Sequence, residues 1–192
     1  MAWKPIVGLS FDATTFNSYV KSIRWMGWRP TFIALHNTAV PNLAQRPHGF
    51  TKVHIQNLVT YYRDQQQWSA GPHLFIDDKQ IWVFTPLTET GRHSPSWNSL
   101  ALGIEMLGDY ETDDFGSGRG LAVRKNAVAA MASLCGALGL SPDTIRLHKE
   151  DPATTHDCPG KHVSKAAVIA EVAAVLNRHY AAEHDPADAM RA

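Results

Sequence analysis

The 192-residue sequence predicts an α/β fold in which a central mixed β-sheet is flanked by helices. Three observations lead there. Short apolar runs (Thr31 to Leu35, His73 to Ile76, Gln80 to Thr85, Leu102 to Leu107) alternate with stretches whose apolar residues recur at helical period. Two of these runs are separated only by Asp77-Asp78-Lys79, a hairpin signal. The length suits a single core, and no composition shift marks an internal boundary, so one domain over 1–192 is expected.

The first element is a helix from about Asp12 to Gly27, with Phe16, Tyr19, Val20 and Ile23 on one face, Asp12 as cap and Gly27 as stop. Residues 1–30 thus form an N-terminal helical segment. Thr31-Phe-Ile-Ala-Leu35 reads as a buried strand that delivers His36 at its end. Ile55, Leu58, Val59 and Tyr62 mark a second helix from Thr51 to Trp68. The hairpin follows, then the strand Leu102 to Leu107 with Glu105 inside it. Gly108 to Gly120 reads as a loop leading into an Ala-rich helix from Ala122 to Leu138, which Gly139 and Pro142 end. Ile145-Arg146-Leu147 is a brief strand delivering His148. Lys149 to Lys161 is a polar loop, Ser164 caps a last helix, and 183–192 reads as a flexible tail.

Composition narrows the function. Lys plus Arg equals Asp plus Glu at 18 each, and no basic run could neutralise a phosphate backbone, so no nucleic-acid partner is expected. The most apolar window, Ala127 to Leu140, is too short to span a bilayer, and no membrane span is expected. The opening MAWKPIVGLSFDATTF lacks the long apolar core of a secretory leader, which predicts a cytoplasmic chain at synthesis. Only Cys135 and Cys158 occur, too few for a disulfide framework. Cys135 sits on an apolar helical stripe and reads as a small hydrophobe.

Chemistry concentrates elsewhere. His36 and His148 each end a strand, and Cys158 lies ten residues after His148 in the loop Thr154-Thr-His-Asp-Cys-Pro-Gly160. Two imidazoles and a thiolate can converge on one metal and leave zinc its fourth position for water, although the spacing of His148 and Cys158 matches no zinc-finger pattern. Glu105 is a carboxylate inside an apolar strand, costly there unless it has a partner or a task, and its neighbours Ile104 and Met106 should face the opposite way. His48, His54, His73, His162, His179 and His184 earn no functional role from the sequence and are expected at the surface.

The blocks Leu35-His-Asn-Thr-Ala39, Pro72-His-Leu-Phe-Ile-Asp77, Gly91-Arg-His93, Gly103-Ile-Glu-Met106 and His148 through Asp157-Cys-Pro-Gly160 occur in the order and approximate spacing of the zinc-dependent N-acetylmuramoyl-L-alanine amidases. From about Thr31 to the last helix, the chain resembles that family, which includes phage endolysins, peptidoglycan-recycling amidases and peptidoglycan recognition proteins. The resemblance implies a Zn²⁺ cofactor held by His36, His148 and Cys158, with Glu105 activating water. It implies a groove bordered by His93, with Trp97 and Asn98 on the same wall, and a peptidoglycan or muropeptide substrate. His156 stands where many members have a lysine that stabilises the transition state; an imidazole there could still donate to the oxyanion, in a pH-sensitive way. Many members also have a tyrosine near the position of Pro72, and its absence favours Glu105 as the base.

The expected reaction is hydrolysis of the amide joining N-acetylmuramic acid to L-alanine by a monomeric, phage-type endolysin reaching the wall after membrane permeabilisation. A cytosolic amidase recycling anhydromuropeptides is the alternative. Two other classes compete: a non-catalytic peptidoglycan-binding module, and a thiol hydrolase with Cys158 as nucleophile and His148 or His156 as base. Members that have lost the zinc lack the cysteine ligand, which this chain has.

Overall fold

The computed structural model describes residues 2–183. Six strands form one sheet in the order β1-β4-β3-β5-β2-β6: β1 Leu9–Phe11, β2 Phe32–Asn37, β3 Leu74–Ile76, β4 Ile81–Val83, β5 Ala101–Met106 and β6 Arg146–Leu147. The hairpin β3-β4 and the edge pair β1-β4 are antiparallel, whereas β3-β5, β5-β2 and β2-β6 are parallel. The expected mixed sheet is therefore present. Its helices are α1 Ala13–Ser22, α2 Lys52–Thr60, α3 Gly118–Leu138 and α4 Lys165–Glu183.

The alternation of β-strand side chains divides the molecule into two faces. Ile33 and Leu35 of β2, and Leu102, Ile104 and Met106 of β5, join Phe16, Val20, Val123, Met131 and Val172 in the large core beneath α1, α3 and α4. Phe75 points the other way, into a smaller aromatic cluster with Phe50, Ile55, Tyr62 and Phe84 under α2. His36 and Glu105 alternate with the core residues, so they share that second face. Ile104 and Met106 are fully buried on the first, as expected of Glu105's neighbours.

Four boundaries differ from the sequence reading. The segment 1–30 is helical only over Ala13–Ser22: Ile23 turns extended at the C-cap, and Leu9–Phe11 forms an edge strand too short to show a period of its own. Asp12 caps α1 as expected, its carboxylate accepting from the Thr15 amide at 2.8 Å. The second helix does not run evenly to Trp68. After Thr60 it widens into a π turn over Tyr61–Gln65, and Gln67 adopts a left-handed φ of 55° that folds Trp68 back to stack on Tyr62 at 5.3 Å.

The third helix begins at Gly118, inside the expected loop. Gly120 is required there because a Cβ would lie 1.9 Å from the Asp114 carbonyl oxygen, and Arg119 ties the first turn to Asp78 and to the Leu43 and Arg46 carbonyls. By length and composition α3 could cross a membrane, but 56% of its apolar window is buried inside the fold, as in a core helix. Finally, α4 continues to Glu183, the first residue of the expected tail; 184–192, with His184, lie outside the described residues.

His73, read as a surface histidine, is fully buried. It stacks flat on Trp28 (5.6 Å, 7°), its Nδ1 accepts from the Gly103 amide at 2.9 Å, and its Nε2 donates to the Glu89 carbonyl at 2.9 Å. Both ring nitrogens are satisfied, so burial costs little. Burial also holds this imidazole down at about 3, hence neutral.

Candidate metal centre

The site lies at the C-terminal ends of the parallel strands, where α/β sheets open a crevice. His36 and Glu105 face each other in register on β2 and β5. His148 follows β6 directly, opening a 3₁₀ turn over His148–Glu150, and Cys158 returns through the next loop. The Lys149 amide donates to the Cys158 carbonyl at 2.8 Å, which closes that loop on itself.

One donor atom from each of His36, His148 and Cys158 lies within 4.8 Å of the other two. His36 is almost completely buried, and burial, with His93 and His148 nearby, holds its imidazole well below the ordinary value, so it is neutral. Burial lowers His148 in the same direction, and its Nε2 is buried with no hydrogen-bond partner among the described residues. Burial, then the nearby Glu105 carboxyl, pushes the Cys158 thiol well up, while the Asn37 amide donates to its sulfur at 3.3 Å. Two neutral imidazoles, one of them with an orphaned nitrogen, and a thiol held by a backbone amide form a donor set that fits zinc, which prefers such nitrogen and sulfur ligands.

Glu105 sits 3.9 Å from His36 Nδ1 through Oε1, with 14% of its side chain exposed. Burial raises its carboxyl to about 8. His156 is exposed on the rim, its ring 5.8 Å from that of His148 and tilted by 31°. Trp68, His93, His148 and His156 line the cleft on both sides of this point, and Asn98 lines its outer part.

The three residues expected along one wall separate in the structure. His93 borders the cleft, but its ring is buried between His36 and the Ala101 carbonyl. Asn98 is half-buried and turns its Oδ1 inward to accept from the His93 and Ser94 amides at 2.7 and 2.9 Å. Trp97 packs edge-on against Phe32 at 5.3 Å, under the Arg146 guanidinium, so it supports the wall from beneath. Trp68 takes the cleft position instead, with the Arg92 guanidinium 5.3 Å above its ring.

Asp151 also escaped the sequence reading. It is buried and accepts from the Ser94 hydroxyl, the Ser96 amide at 3.1 Å and the Ala153 amide at 2.9 Å, joining the His93 segment to the ligand loop. Burial pushes its carboxyl up, but these hydrogen bonds outweigh burial and hold it at about 2. Its only signal in the sequence is proximity to His148.

Comparison with known proteins identifies the family and the fold. The family model described as N-acetylmuramoyl-L-alanine amidase matches residues 26–161. Peptidoglycan-recognition protein SC2 of Drosophila melanogaster is 22% identical over 144 residues, 69% of this chain and 70% of that protein. Among solved structures, the N-acetylmuramoyl-L-alanine amidase LysC from Clostridium intestinale URNW superposes with a TM-score of 0.62 at 19% identity, over 90% of this chain and 93% of that one. The Clostridium intestinale endolysin LysCS gives 0.60 at 21% identity (79% and 92%), and Drosophila PGRP-LB gives 0.57 at 17% (80% and 85%). With the family model covering more than half of its length, this chain belongs to the N-acetylmuramoyl-L-alanine amidase family.

Proposed function

We propose that the protein is a zinc-dependent amidase that cleaves the amide between the lactyl group of N-acetylmuramic acid and L-alanine. The observation that carries this reading is the convergence of His36, His148 and Cys158 beside the Glu105 carboxyl. Bound by those three residues, zinc would polarise the scissile carbonyl and acidify a water at its open position.

Glu105 takes the proton from the attacking water. Burial raises this carboxyl to about 8 in the metal-free protein, and a bound divalent ion would draw it down, leaving an ionised carboxylate to act as the base. As oxygen adds to the carbonyl carbon and the C–N bond breaks, Glu105 returns the proton to the departing nitrogen. The peptide leaves with a free amino terminus, and the sugar keeps the lactyl carboxylate. His156, on the rim, donates an N–H to the developing oxyanion. His93 and Asn98 shape the wall against which the substrate rests, with Trp97 behind them.

A thiol nucleophile fits these surroundings poorly, because activated cysteines have lowered pKa values and Cys158 is shifted the other way. Retention of all three donors together with Glu105 favours an enzyme over a binding module. For the biological role we take wall lysis, a reading supported by the likeness to solved endolysins.

The test is chelation followed by zinc restoration, with release of free peptide from a muropeptide as the readout. Activity should disappear and return. Turnover that resists chelation but yields to alkylation would replace zinc with the thiol, and muropeptide binding without peptide release would leave a binding module. Faster turnover of a soluble anhydromuropeptide than of intact sacculi would replace lysis with recycling.

A further inference from the structure

His93 has more structure around it than a groove wall needs. Its ring is 7% exposed, and its two nitrogens have one partner each: Nε2 lies 3.1 Å from the Ala101 carbonyl oxygen, and Nδ1 lies 3.1 Å from His36 Nε2. A carbonyl can only accept, so His93 Nε2 carries the hydrogen. Among the described residues no carboxylate is hydrogen-bonded to this buried ring, which therefore carries no second proton, and its Nδ1 is an acceptor. The hydrogen between the two imidazoles then belongs to His36 Nε2. A neutral imidazole has one N–H, so His36 Nδ1, the nitrogen on the Glu105 side, keeps its lone pair.

The slot that holds His93 is shaped by its neighbours. Gly103 of β5 lies against the ring, where a Cβ would come within 2.3 Å of His93 Cγ. The Gly103 amide donates to His73 Nδ1, and the His73 ring stands edge-to-face with His93 at 5.8 Å. His73 is itself anchored through Nε2 to the Glu89 carbonyl. The glycine makes room and the second histidine closes it.

We infer that His93 is a positioning residue: the hydrogen-bond chain from the Ala101 carbonyl through His93 fixes the tautomer and rotation of His36, so that its bare Nδ1 is presented to the metal before any metal arrives. The usefulness of that presentation rests on the zinc reading above; the tautomer itself does not. Partners of this kind on a metal-binding histidine are generally worth about 10- to 100-fold in metal affinity.

The first experiment uses metal-free wild-type protein and reads the ring nitrogens by long-range ¹H–¹⁵N NMR. Both His36 and His93 should be Nε2–H tautomers; a His36 ring protonated at Nδ1 overturns the inference. This readout needs no variant and is independent of whether zinc binds, so a protein with the expected tautomers and no zinc affinity would sink the amidase reading alone.

The second experiment measures zinc affinity and the visible spectrum of the cobalt-substituted protein. His93→Phe keeps a ring but loses both hydrogen bonds, and should weaken zinc binding by about 10- to 100-fold and alter the cobalt bands. His93→Gln, whose amide can donate to Ala101 and accept from His36, should restore most of the affinity. Gly103→Ala leaves every polar group in place but crowds the ring, and should resemble His93→Phe. If His93→Phe folds, binds zinc as tightly as wild type and leaves His36 as Nε2–H, His93 positions nothing.

Discussion

Glu105 and His36 occupy facing positions on adjacent parallel strands, with Glu105 Oε1 3.9 Å from His36 Nδ1. One backbone register thus fixes the separation of the proposed base from a proposed metal ligand, on strands rather than loops. Precision of this kind is what general-base catalysis requires, since the base must reach the water held beside the metal. Glu105→Gln keeps the shape and removes the basicity. It should retain zinc, measured by metal analysis, and lower peptide release by at least about a hundredfold; near-normal rates would take Glu105 out of the mechanism.

Metal uptake should release protons. In the metal-free protein burial keeps the Cys158 thiol protonated and raises Glu105 to about 8, so at pH 7 both hold a proton. A divalent ion demands the thiolate and draws the neighbouring carboxyl down. Calorimetric zinc titration in buffers of different ionisation enthalpy should give about two protons released at pH 7, falling to about one in Glu105→Gln. No buffer dependence would mean that Cys158 is not a ligand.

The same carboxyl should shape stability in the absence of metal. Its folded pKa of about 8 lies above the ordinary 4.5, so between those values the unfolded chain has lost a proton that the native state keeps. This carboxyl's contribution to stability therefore falls as pH rises through that window and levels off beyond it, by up to a few kcal/mol, while the buried neutral His73 and His93, held at about 3 and about 4, contribute in the opposite direction below the ordinary imidazole value. The difference between wild type and Glu105→Gln in denaturant melts of the metal-free protein should show the decline.

How much of this could be read beforehand depends on how local each determinant is. His36 is legible because it ends an apolar strand, and Glu105 because it interrupts one, where a period of two assigns its side chain to the face opposite the core. Trp68 and Trp97 are not. The tryptophan that faces the cleft is selected by a π turn and a left-handed Gln67 at the end of α2, neither of which disturbs the apolar pattern around it. His73 and Asp151 were missed for a related reason: their partners, the Gly103 amide and the Ser94 hydroxyl, come from segments far away in the sequence, and a polar residue's burial is set by such partners.

His156 offers a test of how an imidazole serves where lysine is usual. Its ring lies on the cleft rim, 5.8 Å from that of His148. If it donates to the oxyanion, a lysine at the same place can do so too, so His156→Lys should stay active, whereas His156→Ala should lower kcat by about a hundredfold or more. An unchanged rate in His156→Ala would assign His156 to the scaffold of the loop.

Asp151 should matter to the site without touching substrate. Its carboxylate ties Ser94 and Ser96 to the loop that carries His148 and Cys158, and these hydrogen bonds hold it at about 2 against burial. A folded pKa below the ordinary 3.8 means that this stabilisation is complete above that value and is lost as pH falls toward 2. Asp151→Asn keeps the size but replaces one accepting oxygen with a donor that faces existing donors. It should destabilise the protein by about 1–3 kcal/mol, the scale for a broken buried hydrogen-bond set. Because the 93–98 segment and the ligand loop would loosen together, zinc affinity should fall in the same variant, read by competition with a chromogenic chelator. A stability loss with unchanged zinc affinity would show that the two loops hold their places independently.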